Sequence, residues 1–479
     1  MNGSHSFSNM CELLQYLEER DRERVIFTYL SGWKTHAVSG VDFFEQVCRR
    51  AFTLEHMGLG GKHIGLMGAC RWQWMASLCA VFQIGAVAVL LSPELNGKEL
   101  SEAATRTDLS AILCDDSLVD LSCMPDIPVI GMDAEPGSEK LERFAVLEPE
   151  ALACILFTSG TTGNQKAVMF THRALLAGIC HNVIGIPFEA QLAILPLHHI
   201  AGFASVLNTW YLGRRICLGE DVIHLYRYLE LLKPDYVLTV PSILQAIVKK
   251  IQLGVSRGQP VNWNLRLIGC GGADFPRDVL ALLRGQHIHV LQSYGATEAG
   301  GIGFEWEMTE SCLGSIGKPC SEMEVRITDG ELFLRSPSVM SGYFGDPEGT
   351  AEVLQDGWYA TGDLCDMDSE GYLYIRGRKK NLIILSNGEN VSPEEIERAL
   401  AGFSSVEEIM VGLRDGRITA WIFPAAAASC REIDETVQKY NETVPRWKQI
   451  VDVEIMEREF AKTALGKQIR ASVTEVTGK

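Results

Sequence analysis

The chain of 479 residues is short of positive charge: 43 Lys+Arg stand against 61 Asp+Glu, a formal net charge of −18. That balance leaves no uniform cationic surface and excludes a general nucleic-acid binder. It does not exclude small polyanions, which need only backbone N–H groups and a few placed cations. Cysteine is plentiful at 14, but CxxC pairs are absent; the nearest neighbours are Cys312 and Cys320. Zinc ribbons and fingers are thereby excluded, since they need tight thiolate pairs. Flanks such as Leu78-Cys79-Ala80 and Ala153-Cys154-Ile155 predict buried free thiols in a reducing cytosol, hence a cytoplasmic location. Residues 1–10 show no basic stretch leading into an apolar one, so no secretory signal is visible. Long apolar runs are missing too, with one exception at residues 74–91. Ser77 and Gln83 interrupt that run, and Ile84-Gly85-Ala86 reads as a break. It predicts a buried helix followed by a buried strand, with no transmembrane segment.

What is present is globular. Hydrophobic residues make up 47% and charged residues 22%, which excludes a disordered or fibrous chain. The length calls for roughly two to three domains or subdomains. Residues 41–56 carry apolar positions at helical spacing, 63–69 read as a strand, 99–107 as a helix and 110–114 as a strand. Short apolar strands recur at 151–157, 191–195, 214–218, 236–240, 265–270 and 288–292. This alternation predicts an α/β fold of mostly parallel sheets covered by helices. After about residue 310 the texture changes. Residues 324–336 read as a hairpin around Asp329-Gly330, and 371–378 as a further strand. Ser392-Pro393-Glu394-Glu395 reads as a helix start, with Ser392 as N-cap, Pro393 at the first helical position and Glu395 closing a capping box. A boundary therefore falls near 378–381.

Four motifs could carry chemistry. Thr158-Ser159-Gly160-Thr161-Thr162-Gly163 follows a buried strand and leads to Lys166; its glycines let hydroxyls and N–H groups converge on a phosphate chain. It is not a Walker A loop, which places Lys directly after the second glycine. Ser293-Tyr294-Gly295-Ala296-Thr297-Glu298 offers an aromatic ring, a hydroxyl and a hard carboxylate oxygen suited to Mg²⁺. Asp363, with Arg378 beyond it, suits the hydroxyls of a ribose or a phosphate. Lys467 lies near the C-terminus and alone would read as a solvated lysine.

Taken together and in this order, the four motifs resemble the adenylate-forming superfamily: acyl- and aryl-CoA synthetases, peptide-synthetase adenylation domains and firefly-type luciferases. Further blocks support the resemblance, among them Leu195-Pro196-Leu197-His198-His199, Gly269-Cys270-Gly271-Gly272-Ala273, Ser341-Gly342-Tyr343 and Gly388-Glu389-Asn390-Val391-Ser392-Pro393. It spans roughly residues 10 to 470. It implies a large N-terminal domain (1–379) with a small barrel-like subdomain, a mobile α+β lid (381–479) and a hinge at Lys380. It also implies ATP, Mg²⁺ and CoA (or phosphopantetheine) as cofactors. By the same resemblance, residues 158–163 and Lys166 grip the ATP phosphates, and Glu298 with Thr161 holds Mg²⁺. Asp363 and Arg378 bind the ribose. Tyr294, Gly295, Thr297 and Gly271-Gly272-Ala273 flank the adenine and acyl group. His199 sits between acyl site and α-phosphate, Lys467 is the catalytic lysine, and Gly388 and Glu389 face the thiol channel. The family usually has Pro where this chain has Gln165, a change in loop stiffness more than in charge.

Amino-acid-activating members place an aspartate after the histidine block to pair with an ammonium. Residues 200–207 here contain no acid, and an unpaired ammonium in an apolar pocket is costly. A simple carboxylic acid, fatty or aryl, fits better. The segment 406–424 is shorter than in many CoA ligases. Three readings stay open at this level: an acyl-CoA synthetase, a ligase that loads a carrier protein's phosphopantetheine, and a nucleotide-binding module without catalysis. The oligomeric state is not encoded in any motif.

Overall fold

The computed structural model describes residues 6–115, 127–134, 136–158, 165–180, 186–259, 261–271, 277–320, 322–385, 389–426, 428–462 and 468–470, with the side chains of 277 and 302–306 set aside. Two large sheets dominate. The first has eight strands, ordered Gly301–Glu307, His289–Ala296, Leu267–Gly271, Tyr236–Thr239, Ala190–Ala193, Arg215–Leu218, Val25–Ser31 and Lys34–Ser39. Its interior pairings are parallel, and only the two outermost are antiparallel. The second has seven, ordered Gly342–Tyr343, Ala167–Thr171, Leu152–Phe157, Val87–Leu91, His63–Met67, Leu109–Cys114 and Val129–Gly131.

Strands buried on both faces explain why the sequence shows continuous apolar runs here instead of alternation. Ala88 and Leu90 point into one core, while Val87, Val89 and Leu91 point into another. The first of these cores lies between the two sheets and is filled by helices including Met10–Asp21, Gly40–His56, Trp72–Gln83 and Ile200–Tyr211. The helix Trp72–Gln83 has 12 residues, about 18 Å of length, against the ~30 Å hydrocarbon core of a bilayer. Among the described residues, no helix is long and apolar enough to cross a membrane. The 13 described cysteines are all free, and burial pushes the thiols of Cys70 and Cys270 up to about 12.

The part foreseen as barrel-like is a five-stranded antiparallel sheet. Its hairpin Glu324–Thr328 and Glu331–Arg335 turns at Asp329 and Gly330, with φ of 51° and 77°, the left-handed pair that a two-residue hairpin turn requires. The small C-terminal domain has its own three-stranded sheet, Val406–Arg414, Arg417–Pro424 and Asp452–Ile455, and its own core under the helices Pro393–Ala401 and Cys430–Thr443. Ser392 caps the first of these helices by accepting the Glu395 N–H. The expected capping box does not form. The Glu395 carboxylate pairs with Lys448 instead, at 2.9 Å, because a full charge is a stronger partner for a carboxylate than a backbone N–H.

Candidate active site

A cavity of about 930 Å³ opens between the large and small domains. Its walls include the predicted residues Gly271, Tyr294, Gly295, Asp363 and Arg378. Leu195, Ile200, Leu238, Val240 and Ile316 add apolar surface, and Thr239, Gln292 and Ser293 add a few polar groups. From the small domain come Glu397, Arg398, Glu408 and Gln468.

Asp363 and Arg378 face each other directly across the antiparallel pair Trp358–Met367 and Leu373–Arg378. Their ion pair is 2.8 Å long, with the carboxylate buried and the guanidinium partly open to solvent. Tyr294, on the strand His289–Ala296, donates its hydroxyl to the other Asp363 oxygen at 2.5 Å. Burial, reinforced by that carboxylate, pushes the Tyr294 phenol well above its usual range, so it remains a donor. Arg378 is also held by the Thr361 carbonyl at 2.9 Å.

Thr158 and Lys166, the residues that bracket the predicted phosphate loop, are hydrogen-bonded to each other. Thr158 N–H donates to the Lys166 carbonyl, and Lys166 N–H donates to Thr158 Oγ1 at 3.1 Å. These two bonds tie the neck between Leu152–Phe157 and Ala167–Thr171, which pair antiparallel. Ser159, Gly160, Thr161, Thr162 and Gly163 lie outside the described residues, as do Gly272, Ala273, Gly388 and Lys467. Gln468, the residue after Lys467, lines the cavity. Arg470 anchors that segment to the small domain through Glu397 at 2.6 Å, Glu394 at 3.2 Å and the Val411 carbonyl. Burial raises the Glu397 carboxyl to about 7 against the pull of Arg470.

Thr297 and Glu298 form a 3₁₀ turn directly after the Tyr294 strand. Glu298 is half-buried and accepts the Tyr343 hydroxyl at 2.9 Å. His199 precedes the helix Ile200–Tyr211, whose first two residues line the cavity. The His199 side chain is not among the cavity-lining groups. Burial lowers its basicity, and burial with the His199 charge takes the adjacent His198 down to about 3. Lys380 stands exposed in the turn Lys379–Asn381, and Glu389, nine residues on, is also exposed. Sequence reasoning missed the roles of Tyr343, Glu397 and Arg470. The motif Ser341-Gly342-Tyr343 was the available signal for the first of them.

A cleft of this size walled by two domains, with a buried carboxylate held between a tyrosine and an arginine, fits an adenylate-forming enzyme. The chain belongs to the AMP-binding enzyme family: residues 16–344 match that family, and 380–476 match the AMP-binding enzyme C-terminal domain. Among curated proteins it is similar to a 2-succinylbenzoate–CoA ligase of Bacillus cereus (strain Q1), 28% identical over 470 residues, covering 92% of this chain and 94% of the relative. The corresponding Bacillus anthracis ligase is 29% identical over 471 residues, with the same coverage. Among solved structures, o-succinylbenzoate CoA synthetase (MenE) from Bacillus subtilis, in complex with an acyl-adenylate, superposes with a TM-score of 0.83 at 24% identity, covering 96% of this chain and 97% of that one. The anthranilate CoA ligase AuaEII superposes with a TM-score of 0.84 at 19% identity, covering 98% and 97%.

Proposed function

We propose that this chain is an ATP-dependent acid–thiol ligase. It activates a carboxylic acid, fatty or aryl, as an acyl-adenylate with release of pyrophosphate. It then transfers the acyl group to CoA. The observation that carries this reading is the Asp363 carboxylate, held between Tyr294 and Arg378 at the wall of a cavity that residue 468 also reaches. A carboxylate so fixed suits two ribose hydroxyls, and the neighbouring Tyr294 ring suits an adenine face. The relatives' printed names support CoA as acceptor. The phosphopantetheine of a carrier protein is the alternative acceptor, which an assay with holo carrier protein tests against CoA. The apolar cavity wall suits an acid with a hydrocarbon chain or ring. The buried free thiols suit a reducing, cytoplasmic compartment.

In this reading the neck of Thr158 and Lys166 presents residues 159–163 to the β- and γ-phosphates. Lys467 bridges the attacking carboxylate and the α-phosphate, two anions whose approach it favours more in the transition state than before it. His199, its basicity lowered by burial, stands just before the helix Ile200–Tyr211 whose first turn lines the cavity, and would act on the acyl side of the α-phosphate through a rotation of its side chain into the cavity. Gly271, Gly272 and Ala273 flank the acyl group, with Gly295 and Thr297 beside the nucleotide. Glu298 fits Mg²⁺ as a hard oxygen ligand, with Thr161 as its companion. Among the described residues no cluster of three His, Cys, Asp or Glu could hold a metal, so phosphates and water would complete its shell. Held by Glu298, Mg²⁺ would supply neutralisation of charge on the leaving pyrophosphate. Domain alternation between residues 1–379 and 381–479, about Lys380, would withdraw Lys467 and bring Gly388 and Glu389 to the thiol channel. Lys467→Ala is expected to abolish pyrophosphate release yet still form thioester from supplied acyl-adenylate. Equal loss of both steps would remove the bridging role.

A further inference from the structure

Resting on the reading above, we propose that Tyr343 is a positioning residue that keeps the metal carboxylate Glu298 and the phosphate lysine Lys166 apart and separately available. The Tyr343 hydroxyl donates to Glu298 Oε1 at 2.9 Å. The same ring lies under the Lys166 ammonium, 4.2 Å from its centroid, within cation–π range. Among the described residues no ion pair joins Lys166 to Glu298. A lysine and a carboxylate left in one site pair directly, and each then masks the other from its ligand. The phenol offers each an alternative seat: the hydroxyl fixes the carboxylate, and the ring face holds the ammonium.

The backbone is built to place this ring. Residues 338–344 form a strap stitched on two sides. Ser338 donates to the Ala299 carbonyl at 2.9 Å and Met340 N–H to the Glu298 carbonyl at 2.8 Å. On the other side Gly342 and Tyr343 pair with Met169 and Val168 on the strand that follows Lys166. Phe344 N–H reaches the Ala167 carbonyl at 2.8 Å. Gly342 has φ of 142° and a Cβ there would meet Thr350 at 2.9 Å, so the strap needs glycine immediately before the ring. Tyr343 itself is only 4% exposed, which holds it in one place between the two charges.

Two variants separate the two contacts. Tyr343→Phe keeps the ring and removes the donor. Tyr343→Leu removes both. The readout is calorimetric binding of a non-hydrolysable ATP analogue, titrated with Mg²⁺ and repeated in EDTA, with thermal melting as the control for folding. Tyr343→Phe is expected to weaken the apparent Mg²⁺ affinity about 10–100-fold, the usual cost of losing a partner that orients a metal ligand, and to leave metal-free nucleotide binding unchanged. Tyr343→Leu is expected to weaken metal-free nucleotide binding as well, by several-fold, as Lys166 collapses onto Glu298. A wild-type Mg²⁺ titration in Tyr343→Phe overturns the proposal, and so does a folded Tyr343→Leu that matches Tyr343→Phe. If the Leu variant does not fold, the Phe variant alone decides. Glu298→Gln marks the parent reading: if it shifts the Mg²⁺ titration and Tyr343→Phe does not, only the positioning role falls. If neither shifts it, the assignment of Glu298 falls too.

Discussion

His172 and His198 show what burial does to a single titratable group in this fold. His172 is 1% exposed, accepts the Met10 N–H at Nδ1, and is pushed by desolvation down to about 4. A protonated Nδ1 could not accept that bond. An unfolded histidine titrates near 6.5, so between pH 6.5 and 4 the unfolded chain binds more protons than the folded one. Stability is therefore fully present above about 6.5 and falls as the solution is acidified, by up to about 1.4 kcal/mol per pH unit for each such histidine. Denaturant midpoints at pH 7 and pH 5 measure this. His172→Gln, which can still accept the Met10 bond, is expected to lose less stability over that interval than wild type; an identical loss would assign the acid sensitivity elsewhere. The pairing of Asp363 with Arg378 was legible at this scale because both residues stand in recognisable motifs. The Glu395 partner was not, because Lys448 comes from a distant part of the chain.

Elements explain which parts of the fold the sequence announces. Strands such as Leu152–Phe157 and Tyr236–Thr239 were visible because burial on both faces makes them apolar throughout. The first hairpin, Val25–Ser31 with Lys34–Ser39, was not: its outer strand is exposed along four of its six residues and carries no apolar run. The phosphate-loop neck was legible because Thr158 and Lys166 are near in sequence. Of the strap 338–344 only Ser341-Gly342-Tyr343 stands out as a motif, and its role is not legible because the contacts to Ala299, Glu298 and Lys166 are all long-range. Cap chemistry is testable at this scale. Ser392 accepts the Glu395 N–H and donates to the Arg376 carbonyl at 2.8 Å, so it both starts the helix Pro393–Ala401 and ties it to the strand ending at Arg378. Ser392→Ala is expected to cost about 1 kcal/mol, read as a lowered melting temperature. An unchanged melting temperature would mean that water replaces both bonds.

At the scale of the whole molecule, an acidic chain is predicted to bind a polyanion. A net charge of −18 is compatible with this because few cations at fixed places suffice: Arg378 is held against Asp363 and Lys166 is seated on Tyr343, and Lys467 is the third cation of the proposed reading. In the proposed reading the two-domain cleft serves two successive reactions. The most direct test is acid-dependent pyrophosphate release by the purified chain with ATP and Mg²⁺. The acids would be aryl and fatty, 2-succinylbenzoate among them, each assayed with CoA and then with holo carrier protein. The expected result is stoichiometric AMP, pyrophosphate and acyl-CoA with at least one acid. Nucleotide binding without acid-dependent pyrophosphate release across the panel would contradict the ligase reading and leave a nucleotide-binding module.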